Sequence, residues 1–176
     1  MYTRFILSAA CCVGLCCVAA FAQTATLSAK DQKFVDFAAQ TDMTEAHLGQ
    51  MAQDQASGQN VKDFAQMLVT DHTDDYRKLS DLGTKIGATV PKGIDAAHNK
   101  MIAPFEKLKG ASFDRHFERD MVAGHTKAIA EYKRAASDLD NADLKAYATA
   151  ALPTLQKHLD AAKDLGKTKT LPKTGK

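Results

Sequence analysis

Four side chains able to bind metal or move protons stand where apolar residues are expected. They are Glu45, His72, His125 and His158, one in each of four segments with helical periodicity. His72 lies in "LVTDHTDDY" (68–76), on the face that Leu68, Leu79 and Leu82 share, with Asp71 beside it. Three neutral imidazoles and a carboxylate form a donor set suited to Zn, Fe(II), Mn or Cu(II). Asp71 adds a second carboxylate, either as a further ligand or as the group that fixes a histidine tautomer. The expectation is one transition-metal ion held by Glu45, Asp71, His72, His125 and His158. The same residues also suit a metal-free core cluster, with Glu45 ionised against a protonated histidine. A metal-dependent redox enzyme is a third reading, and it requires an open coordination position. The chain has no glycine-rich phosphate loop, no G-x-S-x-G and no cysteine outside its first 22 residues, so hydrolase and nucleotide chemistry have no support.

The elements that must position these residues are helices. Beyond residue 22 the chain is rich in Ala, Leu, Lys, Asp and Gln, has no Trp and has few β-branched runs. Helix one is predicted over 29–56, opened by Ser28 with Asp31 three places later, on a stripe of Phe34, Ala38, Thr41, Glu45, Leu48 and Ala52. "SGQN" (57–60) makes a turn in which Asn60 can cap helix two, 61–86, whose stripe runs from Val61 through Leu68 and His72 to Ile86. "GATVPKG" (87–93) ends that helix. A shorter helix over 95–108, containing Pro104 and stopped by Gly110, serves as a crossover. Helix three, 112–139, starts at Ser112 and places Phe113, Phe117, Met121, His125, Ala128 and Tyr132 on one face. Helix four, 142–165, repeats Leu144, Ala148, Ala151, Leu155, His158 and Ala162 at alternating spacings of four and three, and Gly166 stops it. Pro153 cannot donate to the Thr149 carbonyl, which predicts a kink just before His158. Short turns within each pair make the partners antiparallel. The predicted class is all-α: a four-helix bundle of two antiparallel hairpins joined by a crossover with a short helix. "NVKDFA" (60–65) with "DLKAYA" (143–148), and "VTDH" (69–72) with "VAGH" (122–125), suggest an internal repeat.

Depth along the bundle aligns the polar residues. Glu45 lies 12 residues before Ser57 and His72 lies 12 after Asn60. At ~1.5 Å per residue both sit roughly 18 Å from the first turn. His125 is 15 residues before Asp140 and His158 is 17 after Asn141, level within about one helical turn. One inward polar group per helix near mid-height is the layout of a metal site in a bundle core. The remaining candidates read differently. His47 points to another face, His98 belongs to the crossover, and His116 is a surface residue beside Phe113 and Phe117. Asp74 and Asp75 face solvent. The scattered methionines are packing residues.

The chain opens like a targeting segment: Arg4, the apolar "FILSAACCVGLCCVAA", and "AFA" at 20–22. Residues 1–22 are read as a signal peptide cleaved after Ala22, 23–166 as the bundle, and 167–176 as a basic flexible tail. The apolar run is too short for a stable anchor, so no transmembrane segment is expected after cleavage. Cys11, Cys12, Cys16 and Cys17 all leave with the signal, so stability rests on the core. Export to the periplasm or beyond follows. The formal charge of +2 falls to +1 without Arg4, which gives no footprint for nucleic acid. Lys167, Lys169, Lys173 and Lys176 could support weak contact with an anionic envelope surface.

"LVTDHT" with Leu79, "FDRHF" (113–117) followed by His125, and "LPTLQKHLDAAKDL" (152–165) resemble an exported bacterial family catalogued as a domain of unknown function, label four-one-four-two. The resemblance covers residues 30–166. It implies a ferritin-like four-helix bundle and no established activity, with Asp71, His72, His125, Pro153 and His158 at the matching positions. Di-iron bundles use Glu-x-x-His on two helices. This chain has no Glu-x-x-His, which points away from a dinuclear oxidase and toward a mononuclear site.

Overall fold

A computed structural model describes residues 27–167. Four long helices, α1 (Ala29–Gln55), α2 (Gln59–Ile86), α4 (Gly110–Asp138) and α5 (Ala142–Lys167), make the bundle. The crossover carries α3 (Ala96–Ile102), which runs into a 3₁₀ turn at Ala103–Lys107. Helices α1 and α2 form one hairpin, and α4 and α5 the other. Across the hairpins, α1 packs on α4 and α2 on α5. The chain is therefore the two-hairpin bundle that periodicity and turn lengths predict. The predicted signal peptide and the tail beyond Lys167 lie outside the described residues. Among the described helices, none is long and apolar enough to cross a membrane.

The predicted stripes of α4 and α5 are buried along their whole length. They close two apolar cores, one at each end of the bundle. Phe34, Val35, Leu79, Tyr132, Leu144 and Leu155 belong to the first. Leu48, Phe64, Leu68, Phe113, Phe117 and Ala162 belong to the second. The polar residues sit where the two meet: His72 falls between Leu68 and Leu79, His125 between Met121 and Ala128, and His158 beside Leu155 and Leu159 of the first and ahead of Ala162 of the second. The apolar cores thus seal a polar layer at mid-height from both ends.

The turns are tied by carboxylates from the opposite hairpin. Asp114, 4 % exposed near the start of α4, accepts hydrogen bonds from Ser57 N at 3.0 Å, Ser57 Oγ at 2.6 Å and Gly58 N at 3.0 Å. Asp31, near the start of α1, likewise accepts from Asp140 N at 2.9 Å and Asn141 N at 3.2 Å. Each hairpin thereby caps the other's turn. Asn60 is not the cap of α2: the helix begins at Gln59 after Gly58, with no side-chain cap. Helix α4 begins two residues before Ser112, which turns its hydroxyl back to the Lys109 carbonyl. Asp114→Ala removes all three charge-assisted bonds to the Ser57 and Gly58 donors of the turn. Urea denaturation should show a loss of about 2–3 kcal/mol, against at most about 0.5 for an exposed control.

The α1–α2 approach is close. A Cβ on Gly49 would fall 2.8 Å from the Ala65 carbonyl oxygen and 2.9 Å from Val69 Cγ2. Gly87, at φ 72°, ends α2 in the left-handed region. The crossover is pinned by Gln40, whose amide donates to the Gly93 carbonyl and accepts from Asp95 N, each at 2.9 Å. Helix α5 continues through Pro153 on its exposed side and runs past the expected stop at Gly166. The "NVKDFA" and "DLKAYA" echo falls at the starts of α2 and α5, equivalent places in the two hairpins. "VTDH" and "VAGH" fall on α2 and α4, which are not equivalent.

Candidate metal centre

The four polar residues meet at mid-height in the bundle. Glu45 Oε2 lies 3.0 Å from His72 Nε2 and 3.0 Å from His125 Nε2, and His125 Nε2 lies 3.2 Å from His158 Nδ1. Nitrogens of the three imidazoles all lie within 4.8 Å of one another. His125 and His158 are fully buried, and His72 and Glu45 are 3 % and 5 % exposed. Gly124 makes room for the carboxylate, because a Cβ there would sit 3.3 Å from Glu45 Oε1.

Each imidazole spends its other nitrogen on an outward partner. His72 Nδ1 is 2.8 Å from Asp42 Oδ1, His125 Nδ1 is 2.9 Å from the Met121 carbonyl oxygen, and His158 Nε2 is 2.8 Å from Asp71 Oδ2. All three partners only accept, which assigns a proton to each of those nitrogens. The inward atoms of the neutral rings are then lone pairs, facing one another and a carboxylate. Glu45 Oε2 and His72 Nε2 are buried without a hydrogen-bond partner although only 3.0 Å apart. Such a cluster needs a cation, either a proton or a metal ion.

The electrostatics show where a proton would go. Burial works against a charge on His72, but Glu45 and Asp42 outweigh it and raise its pKa to about 10. Burial also opposes charge on Glu45, and His125 and His72 overcome it, so the carboxylate stays ionised. Burial raises Asp42 to about 7 against the pull of His72. His158 is lowered to about 4, mainly by burial, with Asp71 opposing and the neighbouring imidazoles adding. Long-range ¹⁵N spectra of the metal-free protein at pH 7 should therefore show His72 as imidazolium and His158 as neutral, with its proton on Nε2. A His158 resonance that titrates between pH 6 and 8 would contradict this assignment.

Asp71 sits behind His158, at the nitrogen opposite the one that faces His125, with its side chain 30 % exposed. Asp42 is the buried member of the cluster that the sequence periodicity does not reveal. It is 1 % exposed and stands three residues before Glu45, on the same face. That i, i+3 pair of carboxylates on an inward stripe was the available signal. Asp75 corrects a second expectation: it is partly buried, and its Oδ2 accepts from Tyr147 Oη at 2.6 Å. His47 is exposed, as expected. His98 bonds Asp95 at 2.8 Å in the crossover, and His116 contacts Asp120 and Arg119 near the surface.

Fold and site together define a class: a ferritin-like four-helix bundle with a three-histidine, carboxylate-fringed core. The chain belongs to the family described as Domain of unknown function (DUF4142), which matches residues 17–165. Two solved structures are similar in fold. One is the crystal structure of a DUF305 fragment from Deinococcus radiodurans, with TM-score 0.69 and 17 % identity over 80 % of this chain and 98 % of that one. The other is CopM in the Cu(II)-bound form, with TM-score 0.66 and 16 % identity over 78 % of this chain and 96 % of that one. Among curated proteins, none matches the chain.

Proposed function

We propose that this protein is an exported bundle that holds one divalent transition-metal ion in its core and serves metal handling or protection from metal stress in the bacterial envelope. The ligands are His72 Nε2, His125 Nε2, His158 Nδ1 and Glu45 Oε2. Asp42, the Met121 carbonyl and Asp71 orient the rings from outside. The observation that carries this reading is the buried cluster in which His72 and His125 meet Glu45 and His158 meets His125, each ring anchored through its far nitrogen. That is the outer-shell arrangement of protein metal sites.

Donor spacing supports a small ion. Ligands about 2.1 Å from a metal stand roughly 3.4 Å apart in a tetrahedron and roughly 3.0 Å apart at right angles. Three neighbouring donor pairs here are 3.0, 3.0 and 3.2 Å apart, and the three imidazole nitrogens lie within 4.8 Å of one another. The set accepts Zn, Fe(II), Mn or Cu(II), and Cu(II) binds such sites most tightly. CopM, which shares the fold, was crystallised with Cu(II), and this adds to the case for copper. The absence of Glu-x-x-His argues against iron oxidation at a dinuclear centre.

The competing reading is a metal-free cluster with the proton on His72, which the raised pKa of that residue favours. Metal analysis separates the two. The mature chain without a His-tag is incubated with Zn, Fe, Mn or Cu and desalted beside His72→Ala/His158→Ala. Near-stoichiometric metal in the wild type, lost in the double variant, is the expected result. Equal metal in both would move binding to the surface histidines, and none in either would leave the cluster structural.

A further inference from the structure

The polar layer is not sealed on all sides. A cleft of about 150 Å³ opens between α2 and α5, and its walls include Asp71, Asp74, Asp75, Tyr147, His72 and His158. Two of the proposed ligands therefore form its floor. One of them, His72, is 3 % exposed and keeps Nε2 without a hydrogen bond. Asp71 spans the two environments: its side chain is 30 % exposed, yet Oδ2 holds His158. Tyr147 fixes Asp75 through its hydroxyl. The walls carry three carboxylates and Lys78, with Arg77 paired to Asp74 at 2.9 Å and Lys157 lying 3.8 Å from Asp71. The volume corresponds to about five water molecules at ~30 Å³ each, enough for a partly hydrated ion and too small for a peptide or nucleotide. Clefts elsewhere, between α1 and α4 and beside Asn60 and Leu165, have none of the cluster residues in their walls.

We propose that the α2–α5 cleft is the entry and exit port of the core site, taking a hydrated divalent cation past Asp74 and Asp75 to Asp71 and then to His158 and His72. The inference rests on the metal reading above and adds how the ion gets in. Asp75 and Asp71 offer oxygens that replace shed water along this path. As the ion reaches the imidazoles, the bond from His158 Nε2 to Asp71 holds the ring in place. The centre is then exchangeable, suited to passing metal on rather than burying it permanently.

Ala150 and Thr154 are exposed residues of α5 in the cleft wall, so bulk placed there blocks the port without entering the core. The test uses Ala150→Phe and Thr154→Phe separately, in the full mature chain, with Cu(II) as the probe. Uptake is followed by quenching of tyrosine emission and release by a chelator chase. The port predicts that uptake and release both slow at least tenfold while Kd changes less than twofold. Unchanged rates in both variants with normal equilibrium binding would overturn the port and leave the metal site standing. A weaker Kd with faster release would overturn it too, since the substitutions would then act on the ligands. A wild-type chain that takes up no Cu(II) sinks the metal reading, and the port with it. Should one variant fail to fold, the other carries the test.

Discussion

His72→Ala is expected to destabilise the metal-free protein by about 3–5 kcal/mol. Asp42 Oδ1 and Glu45 Oε2 lie 2.8 and 3.0 Å from its two ring nitrogens, and both carboxylates are almost wholly buried. Removing the imidazolium leaves them without a counter-charge in an apolar surround, together with a cavity the size of the ring. Urea denaturation at pH 7 reads the loss directly, and the melting temperature should fall on the order of 10 °C. The penalty shrinks as pH falls, because protonation relieves the two carboxylates. A loss below about 1 kcal/mol would mean that His72 carries no charge in the folded protein. The same substitution should weaken metal binding more than 100-fold, beyond what loss of an orienting partner causes.

The orienting partners themselves should rank by burial. Asp42→Asn keeps the shape but gives His72 Nδ1 a weaker, neutral acceptor, so affinity for Cu(II) should fall by about 10–100-fold. Asp71→Asn should cost tenfold or less, because Asp71 is 30 % exposed and water can replace its bond to His158. Competition titrations against a chelator of known affinity measure both. Equal losses, or a larger loss at Asp71, would mean that Asp71 binds the ion itself and that the outward position of its carboxylate is misleading. Thermal melts with and without metal give an independent reading. An ion at 100 times its Kd adds about 2.7 kcal/mol to the wild type, and the gain shrinks in step with affinity in each variant.

Much of this arrangement is legible in the chain. The stripes of α4 and α5 run without a break from Phe113 to Ala135 and from Leu144 to Leu165, so the inward placement of His125 and His158 follows from period alone. Counting rise from the turns brings Glu45 level with His72, and the two are in contact. Asp42 escapes the same reasoning because a 3.6 period between Ala38 and Glu45 admits either position 41 or 42. Thr41 looks like the milder residue to bury, yet it is Asp42 that is 1 % exposed. Only the imidazole across the α1–α2 interface makes that burial tolerable. The turn caps escape for a different reason. Local reading looks within a few residues for a capping side chain, whereas Asp114 reaches a turn 57 positions away and Asp31 one 109 away. Such bonds exist only once the hairpins are packed. Asp75 follows the same pattern, since its partner Tyr147 lies on the other hairpin.

The most direct test of the central claim is anomalous diffraction from crystals of the Cu(II)-loaded mature protein, with data on both sides of the copper edge. A core metal site gives one anomalous peak per chain in the polar layer, about 2.0–2.2 Å from His72 Nε2, His125 Nε2 and His158 Nδ1, with Glu45 Oε2 as the oxygen neighbour. Copper found only at His47, His98 or His116, with the core imidazoles still in their metal-free contacts, would contradict it.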